Sequence, residues 1–122
     1  MQSKITAVLG ASVKPERYSN KALRMLKQYG HQVIPVHPAQ AEIEGVATAR
    51  TLTELPYGID TITVYVSPET SEKMVADFVA TAPRRVILNP GAESPLLEAA
   101  LHQAGIQVER ACTLVLLQTG QY

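Results

Sequence analysis

The chain has 122 residues, of which 46% are apolar and 18% are charged. This length predicts one domain, residues 1–122, with room for a hydrophobic core, and the composition excludes a disordered chain. Eleven basic and eleven acidic side chains give a net charge of zero, which argues against general nucleic-acid binding because that activity normally needs a basic excess.

The number of cysteines and the hydropathy of the chain indicate the cellular compartment in which we expect the protein. Cys112 is the single cysteine, so no intramolecular disulfide can form and a reducing compartment is favoured. The sequence has no signal-peptide pattern, and no run of about 18 apolar residues that would predict a membrane span. We therefore expect a cytoplasmic protein with no membrane partner.

The first third of the chain predicts a strand, a loop, a helix and a second strand. Residues 5–9 form a short apolar run typical of a buried strand, and residues 10–17 are a polar loop. Residues 19–29 carry apolar side chains at helical spacing, and Gly30 follows as a stop signal. Residues 33–36 predict the next strand.

The middle of the chain is less regular. Between residues 39 and 60, we expect a short extended piece at 45–47 and one helical turn at 53–55. Residues 61–66 form a β-branched strand, and Ser67-Pro68 is a typical helix start. The apolar face of that helix is predicted to consist of Met74, Val75, Phe78 and Val79.

The last third repeats the alternation. Residues 85–88 predict a fourth strand, Ser94-Pro95 a third helix start, and residues 106–109 a fifth strand. The apolar stripe of the third helix consists of Leu97, Ala100, Leu101 and Ala104. Residues 113–118 are apolar enough to pack, but their pattern does not decide between strand and helix.

This alternation predicts an α/β fold, a Rossmann-like three-layer sandwich with a five-stranded, mainly parallel sheet. We expect the first strand to be central and a crevice to lie at the carboxyl ends of the strands. Small and hydrogen-bonding residues follow the strands there, as phosphates and a flat base require, and they include neither a metal-ligand set nor a catalytic set. These residues are Gly10, Ala11, Ser12, His37, Pro38, Ser67, Pro68, Asn89, Pro90 and Gly91.

The first loop is the sharpest signal of a phosphate site. Gly10 permits a tight turn, and Ser12 offers a hydroxyl group beside small backbone-exposing neighbours. The helix that begins near Ser19 adds free N–H groups, and Lys14 and Arg17 add positive charge. The loop lacks the full G-x-G-x-x-G pattern and a Walker lysine, so a plain strand-to-helix connection remains the alternative.

The roles of the histidines and of the cysteine are not decided by the sequence. His37 occupies the position where a dinucleotide-binding fold carries an acid for the ribose, so NAD(P) is a less favoured cofactor, although His37 could equally just end the strand. His31 and His102 are expected to be surface residues. Cys112 could be a reactive thiol or a small buried residue.

Nearly the whole chain resembles the small stand-alone CoA-binding proteins, which are related to the CoA-binding domain of the succinyl-CoA synthetase alpha subunit and of NDP-forming acyl-CoA synthetases. The resemblance is carried by Val8-Leu9-Gly10-Ala11-Ser12, Lys14-Pro15-Glu16-Arg17-Tyr18-Ser19-Asn20, Gly30-His31-Gln32-Val33-Ile34-Pro35-Val36-His37-Pro38, Glu42-Ile43-Glu44-Gly45, and Leu55-Pro56 before Asp60. The chain departs from the family pattern at Ala39, where a cation is common, and at Asn89-Pro90-Gly91, where Gln-x-Gly is common.

The resemblance implies that coenzyme A binds at the strand ends. The residues it places around the pyrophosphate are Gly10, Ser12, Lys14, Arg17, Tyr18 and Ser19. It places His37-Pro38 and Ser67-Pro68 along the adenosine and pantetheine path, with Asn89-Pro90-Gly91 on the far side.

The function expected from these observations is a non-catalytic binding or regulatory module for coenzyme A or an acyl-CoA. Related synthetases place a phosphorylated histidine in a separate downstream domain, and the strand ends of this chain assemble no nucleophile, base and orienting group. The alternatives are an NAD(P)-binding oxidoreductase-type domain, a partner subunit of a split acyl-CoA ligase, and a redox sensor that forms a mixed disulfide between Cys112 and CoA.

Overall fold

The computed structural model describes residues 4–122, and within them it contains a five-stranded parallel sheet with helices on both faces. The strands are β1 (Ile5–Leu9), β2 (Gln32–Val36), β3 (Glu42–Ile43), β4 (Val46–Ala47), β5 (Thr61–Val64), β6 (Arg85–Leu88) and β7 (Gln107–Arg110). The helices are α1 (Tyr18–Gln28), α2 (Pro68–Glu72), α3 (Val75–Thr81), α4 (Pro95–Gln103) and α5 (Thr113–Gln118), with a 3-10 turn at Leu52–Glu54.

The strand order of the main sheet is β2-β1-β5-β6-β7, and all four pairings are parallel. This is the doubly wound order in which the chain leaves β1 first to one side and then to the other. The predicted α/β, Rossmann-like class is therefore confirmed. The strand β1 is interior, between β2 and β5, whereas β5 occupies the middle of the sheet. Ligands of such sheets bind at the carboxyl ends, where the winding reverses.

The core lies on both faces of the sheet. On one face the apolar residues of the strands pack with Phe78, Leu97 and Leu101 from α3 and α4. On the other face they pack with Leu23 and Leu26 of α1 and with α5. Successive side chains of a strand point to opposite faces, so interior strands such as β1 are buried on both sides.

The irregular region after β2 is a short hairpin. Strands β3 and β4 pair in antiparallel fashion around Glu44 and Gly45, which have φ values of 52° and 76°. Two consecutive positive φ values are typical of the two-residue turns that match the twist of paired strands. The predicted extended piece at 45–47 is thus one half of this hairpin, and the predicted turn at 53–55 is the 3-10 turn at Leu52–Glu54.

The helix predicted after Ser67 is not continuous, and this prediction was wrong. The N–H groups of Lys73 and Met74 bond to carbonyls three residues earlier, at 3.2 and 2.9 Å, which tightens the chain and ends α2. In α3, Phe78 is completely buried and Val79 is exposed. Val79 therefore does not belong to the apolar face predicted for it.

The remaining boundaries differ from the prediction by at most two residues, and the tail is a helix. The strand β5 ends at Val64, so Tyr65 and Val66 lie beyond its carboxyl end. The segment 113–118 becomes helix α5, whose first N–H group, on Thr113, donates to Asn89 Oδ1 at 2.9 Å. Asn89 follows β6 and is distant in sequence from α5, so the local sequence pattern of residues 113–118 does not predict this cap.

His31 is buried, contrary to the sequence-based expectation. Its exposed fraction is 5%, its Nδ1 atom accepts a hydrogen bond from the Lys4 N–H at 3.0 Å, and its ring lies 5.0 Å from that of Tyr122. His31 immediately precedes β2, so it lies at the edge of the sheet where the strands begin, beside the C-terminal residue Tyr122. His102 is exposed. Among residues 4–122, no helix has the length and apolar character needed to cross a membrane.

Candidate functional site

A cleft of about 480 Å³ opens at the carboxyl ends of β1 and β5, and we call it the loop cleft. It is lined by Gly10, Ser12, Lys14, Arg17, Tyr18, Ser19, Tyr65 and Pro90. Seven of these eight residues were predicted as site residues. The structure therefore brings together the first loop, the start of α1 and the end of β6, at the point where α/β sheets bind ligands.

Gly10 is required by a close approach between two strand ends. It has a φ value of +86°, and an added Cβ atom would lie 2.9 Å from Val66 Cγ1 and 3.1 Å from the Tyr65 carbonyl carbon. The Tyr65 N–H donates to the Leu9 carbonyl at 2.9 Å, which holds the two segments side by side. The absence of a side chain at Gly10 therefore allows the segment after β5 to lie in close contact with the loop.

The loop after β1 is held in place from behind by α1. The buried side chain of Asn20 donates from Nδ2 to the Ser12 carbonyl at 2.8 Å and to Glu44 Oε2 at 3.2 Å. Arg24 donates to Asn20 Oδ1 and to the Pro15 carbonyl, both at 2.8 Å. These bonds fix the loop so that its remaining polar groups keep a defined orientation toward the cleft.

The amino end of α1 lacks a side-chain cap. Arg17 is the N-cap residue and makes no capping hydrogen bond, and the first intrahelical bond runs from the Lys21 N–H to the Arg17 carbonyl at 3.0 Å. The N–H groups of residues 18–20 thus have no partner within the described chain. By contrast, α2 and α4 are each capped by a serine hydroxyl. Uncapped N–H groups and the helix dipole favour an anion at this end of α1.

The side chains of the loop cleft add positive charge. Lys14 and Arg17 line it, and no carboxylate is among the described residues that do so. The Ser12 Oγ atom accepts from the Lys14 N–H at 3.1 Å, which leaves the hydroxyl hydrogen free to donate to a ligand. Tyr18 is 67% exposed, and Lys21 Nζ lies 5.2 Å from the centre of its ring. The cleft can therefore accommodate a phosphate or pyrophosphate group beside an aromatic surface.

A second cavity of about 250 Å³ adjoins the loop cleft, and we call it the apolar cavity. Its lining residues are Tyr18, Tyr65, Asn89, Pro90, Cys112 and Leu114, of which the first two and Pro90 also line the loop cleft. Cys112 is half-buried, so it is neither a core residue nor freely exposed.

Asn89 is a structural link between three elements. Its Nδ2 atom donates to Thr63 Oγ1 at 2.7 Å and to the Val64 carbonyl at 3.0 Å, and its Oδ1 atom accepts from the Thr113 N–H at 2.9 Å. The amide is therefore engaged on both sides. Asn89 was predicted as a cofactor-binding residue. In the structure it lines the apolar cavity and its amide group links β5, the end of β6 and α5.

Tyr65 connects the two spaces. Its ring lines both, while its hydroxyl oxygen is buried with no hydrogen-bond partner among the described residues. Burial disfavours the phenolate and raises the pKa of Tyr65 to about 12, with a smaller opposing effect from the nearby Thr63 and Thr113 hydroxyls, which bond each other at 2.7 Å. Tyr65 is therefore neutral at physiological pH.

Six predicted site residues lie outside the lining of these two spaces. Ala11 is buried in the core against α1, and Ser67 and Pro68 form the start of α2, with the Ser67 hydroxyl accepting from Thr70. The Gly91 N–H donates to Glu93. The other two are His37 and Pro38 at the end of β2.

His37 organises its own turn. Its Nδ1 atom accepts from the N–H groups of Ala39 and Gln40, both at 3.0 Å. The neutral ring then carries its proton on Nε2, which remains a donor. The end of β2 therefore offers one imidazole N–H and no carboxylate of the kind that binds a ribose diol in NAD-binding folds.

Three residues of this region were missed by sequence reasoning. Tyr65 was placed inside the strand 61–66, and only the alternation of Thr61, Thr63 and Tyr65 on one face could have pointed to it. Leu114 belonged to a segment of undecided structure. Asn20 holds the loop through its hydrogen bond to the Ser12 carbonyl, and the sequence around a polar residue in the first turn of a helix does not reveal such a bond.

The chain is an α/β protein with an open parallel sheet, and an uncapped helix and a cationic loop lie at the switch point of this sheet, where α/β folds bind their ligands. A family model described as "CoA binding domain" matches residues 4–118, and the chain belongs to this family.

Two uncharacterized proteins are similar to this chain in sequence or in structure. The chain is 31% identical over 80 residues to the uncharacterized protein YneT of Bacillus subtilis strain 168, in an alignment that covers 66% of this chain and 59% of YneT. It is 34% identical to an uncharacterized protein of known crystal structure, with a TM-score of 0.94 and full coverage of both chains.

A third likeness concerns the fold alone. The dinucleotide-forming acetyl-coenzyme A synthetase 1 of Ca. Korarchaeum cryptofilum, in complex with phosphate and ADP, matches 86% of this chain with 22% identity and a TM-score of 0.74. The match covers 25% of the synthetase.

Proposed function

We propose that this chain, residues 1–122 acting as one domain, binds coenzyme A or an acyl-CoA with the pyrophosphate in the loop cleft. The uncapped amino end of α1 carries the proposal, because it faces a cleft lined by Lys14 and Arg17 in a protein of the CoA-binding family. Free N–H groups, the helix dipole and two cations supply what a pyrophosphate requires. The Ser12 hydroxyl adds a further donor.

The orientation of the ligand follows from the general arrangement of doubly wound sheets. In such sheets the nucleoside lies over the end of the second strand, which here carries His37 and Pro38. The pantetheine arm would then extend to the other side, over β5 and β6, where Ser67, Pro68 and Asn89 to Gly91 follow the strands. The His37 Nε2–H is available to a ribose or phosphate oxygen.

Calorimetric titration with CoA tests the proposal. Ser12→Asp places a negative charge beside the pyrophosphate and is expected to weaken CoA binding at least tenfold, since like charges about 4 Å apart near a surface repel by several kcal/mol. Thr53→Asp introduces the same negative charge at an exposed position of the 3-10 turn and serves as the control. Absence of CoA binding at millimolar concentration, or saturable binding of NAD(P)H in its place, would reject the proposal.

We further propose that the chain is a binding or regulatory module rather than a complete enzyme, acting in the cytoplasm. The described side chains that line the loop cleft and the apolar cavity include neither a histidine nor a carboxylate that could act as a general base. Incubation with acetyl-CoA tests this point, because release of free thiol above the rate of the buffer control would contradict it.

A role as partner of a ligase is favoured by one observation. The fold of this chain corresponds to a quarter of the acetyl-coenzyme A synthetase of Ca. Korarchaeum cryptofilum, so a separate chain could provide ligase domains in trans. Affinity capture of the tagged protein from its native cells, with and without CoA, would test this. Recovery of no polypeptide with ligase domains would argue against it.

A further inference from the structure

We propose that the apolar cavity binds the acyl group of a CoA thioester and that its size restricts this group to a short chain. The inference rests on the proposed binding of CoA at the loop cleft and goes beyond it by naming the class of thioester. It is independent of any catalytic role.

Continuity with the loop cleft is the first observation. Tyr18, Tyr65 and Pro90 line both spaces, so a ligand can pass from one to the other without leaving the protein surface. The apolar cavity lies on the side of β5, β6 and α5, away from β2. This is the side to which the pantetheine arm extends in the proposed orientation of the ligand, with the nucleoside over the end of β2.

The chemistry of the lining is the second observation. The loop cleft carries Lys14 and Arg17, whereas the lining of the apolar cavity carries no charged side chain. The Asn89 amide, its most polar group, is already bonded to Thr63, Val64 and Thr113. A phosphate or a ribose would find few donors there, while an alkyl chain would find the surfaces of aromatic, proline and leucine side chains. Burial of apolar ligand surface is the favourable contribution that such a lining can make.

The size of the apolar cavity limits the length of the acyl chain that it can hold. A volume of about 250 Å³ corresponds to roughly eight groups of the size of a water molecule, at about 30 Å³ each. The thioester group and the end of the pantetheine arm use part of this space, so an acyl chain of at most about six carbons fills the rest. A longer chain must continue into solvent, where further methylene groups contribute no burial.

Dissociation constants for CoA and for acetyl-, butyryl-, hexanoyl- and decanoyl-CoA, measured by calorimetry on the wild-type protein, test the inference. Each buried methylene group is expected to tighten binding by roughly threefold to fourfold. The affinity should therefore rise from acetyl-CoA to hexanoyl-CoA and then level off. Equal affinities for CoA and all thioesters would overturn the inference and leave CoA binding intact, whereas no binding of any of them would reject the proposed function itself.

Two variants of α5 test whether the acyl group binds in the apolar cavity. Leu114→Trp fills the apolar cavity, so the ratio of the CoA and hexanoyl-CoA dissociation constants should fall to about one. Val115→Trp makes a similar change at the neighbouring position, which is 50% exposed and outside the cavity lining, and should keep the wild-type ratio. An unchanged ratio in a folded Leu114→Trp protein would place the acyl group elsewhere and overturn the inference. The wild-type series decides the matter if that variant does not fold.

Discussion

The Nδ2 atom of Asn20 donates a hydrogen bond of 2.8 Å to the carbonyl oxygen of Ser12. Asn20 is completely buried in the first turn of α1, and Ser12 lies in the loop that approaches the cleft. The helix whose amino end faces the cleft thus also fixes the loop that lines the cleft. The position of the loop and the position of the helix dipole are therefore coupled through one side chain.

The first prediction concerns this bond. Asn20→Ala removes the partner of the Ser12 carbonyl and of Arg24, and the expected loss in the free energy of unfolding is about 2 kcal/mol, because two part-buried hydrogen bonds are lost together. CoA affinity should also fall, since the loop loses its fixed orientation. Urea denaturation and calorimetry measure the two effects. Arg24→Met keeps the bond to Ser12 and removes the Arg24 bonds to Asn20 Oδ1 and to the Pro15 carbonyl, so it should cost less, about 1 kcal/mol.

Gly10→Ala is expected to destabilise the protein by more than the cost of its backbone conformation. A non-glycine residue with a φ value near +86° costs about 1–2 kcal/mol, and the added methyl group would also collide with Val66 and with the Tyr65 backbone. Gly30 has the same φ value of +86° and no atom within 4 Å of its Cβ position. The loss for Gly30→Ala in urea denaturation should therefore be clearly smaller, and equal losses would show that the close approach at Gly10 is not important.

Tyr65→Phe is expected to leave the free energy of unfolding unchanged or to raise it by up to about 1 kcal/mol, because the hydroxyl removed is buried without a partner. Tyr122→Phe is the matched control, since the Tyr122 hydroxyl bonds with Thr6 on the same face of the sheet, and it should cost about 1 kcal/mol. The pKa of Tyr65, raised to about 12 by burial, also predicts that no phenolate forms at this residue below about pH 11. Ultraviolet titration of wild type and Tyr65→Phe checks this.

The sequence was sufficient for features that depend on local pattern. Strand runs such as 85–88, the serine-proline helix starts and the residues that follow the strands could be predicted, because each depends on neighbouring residues. The sheet places their loops at one edge as a consequence of parallel pairing.

Features that depend on tertiary contacts could not be predicted in this way. The helical state of α5 depends on Asn89, the break between α2 and α3 on the burial of Phe78, and the burial of His31 on the packing of Tyr122. The same holds for the apolar cavity, because Tyr65, Pro90 and Leu114 come from three separate segments. Only the assembled sheet brings them into contact.

His31 predicts how stability depends on pH. Burial, and next the positive charges of Lys4 and Arg85, lower its pKa below the usual 6.5, with a smaller opposing effect from Asp60. Below pH 6.5 the unfolded chain therefore binds a proton that the folded protein does not bind, and the free energy of unfolding decreases as the pH falls, until the folded-state pKa is reached. The slope is at most about 1.4 kcal/mol per pH unit.

Urea denaturation at pH 7.5 and at pH 5.5 measures this loss. His31→Asn keeps an acceptor near the position of Nδ1 for the Lys4 N–H and has no titrating group, so the part of the loss that His31 causes should disappear. His102→Asn, at an exposed position, should retain the full wild-type loss. If His31→Asn and wild type lose equal stability over this range, protonation of His31 does not oppose folding, and the pH dependence originates in other groups.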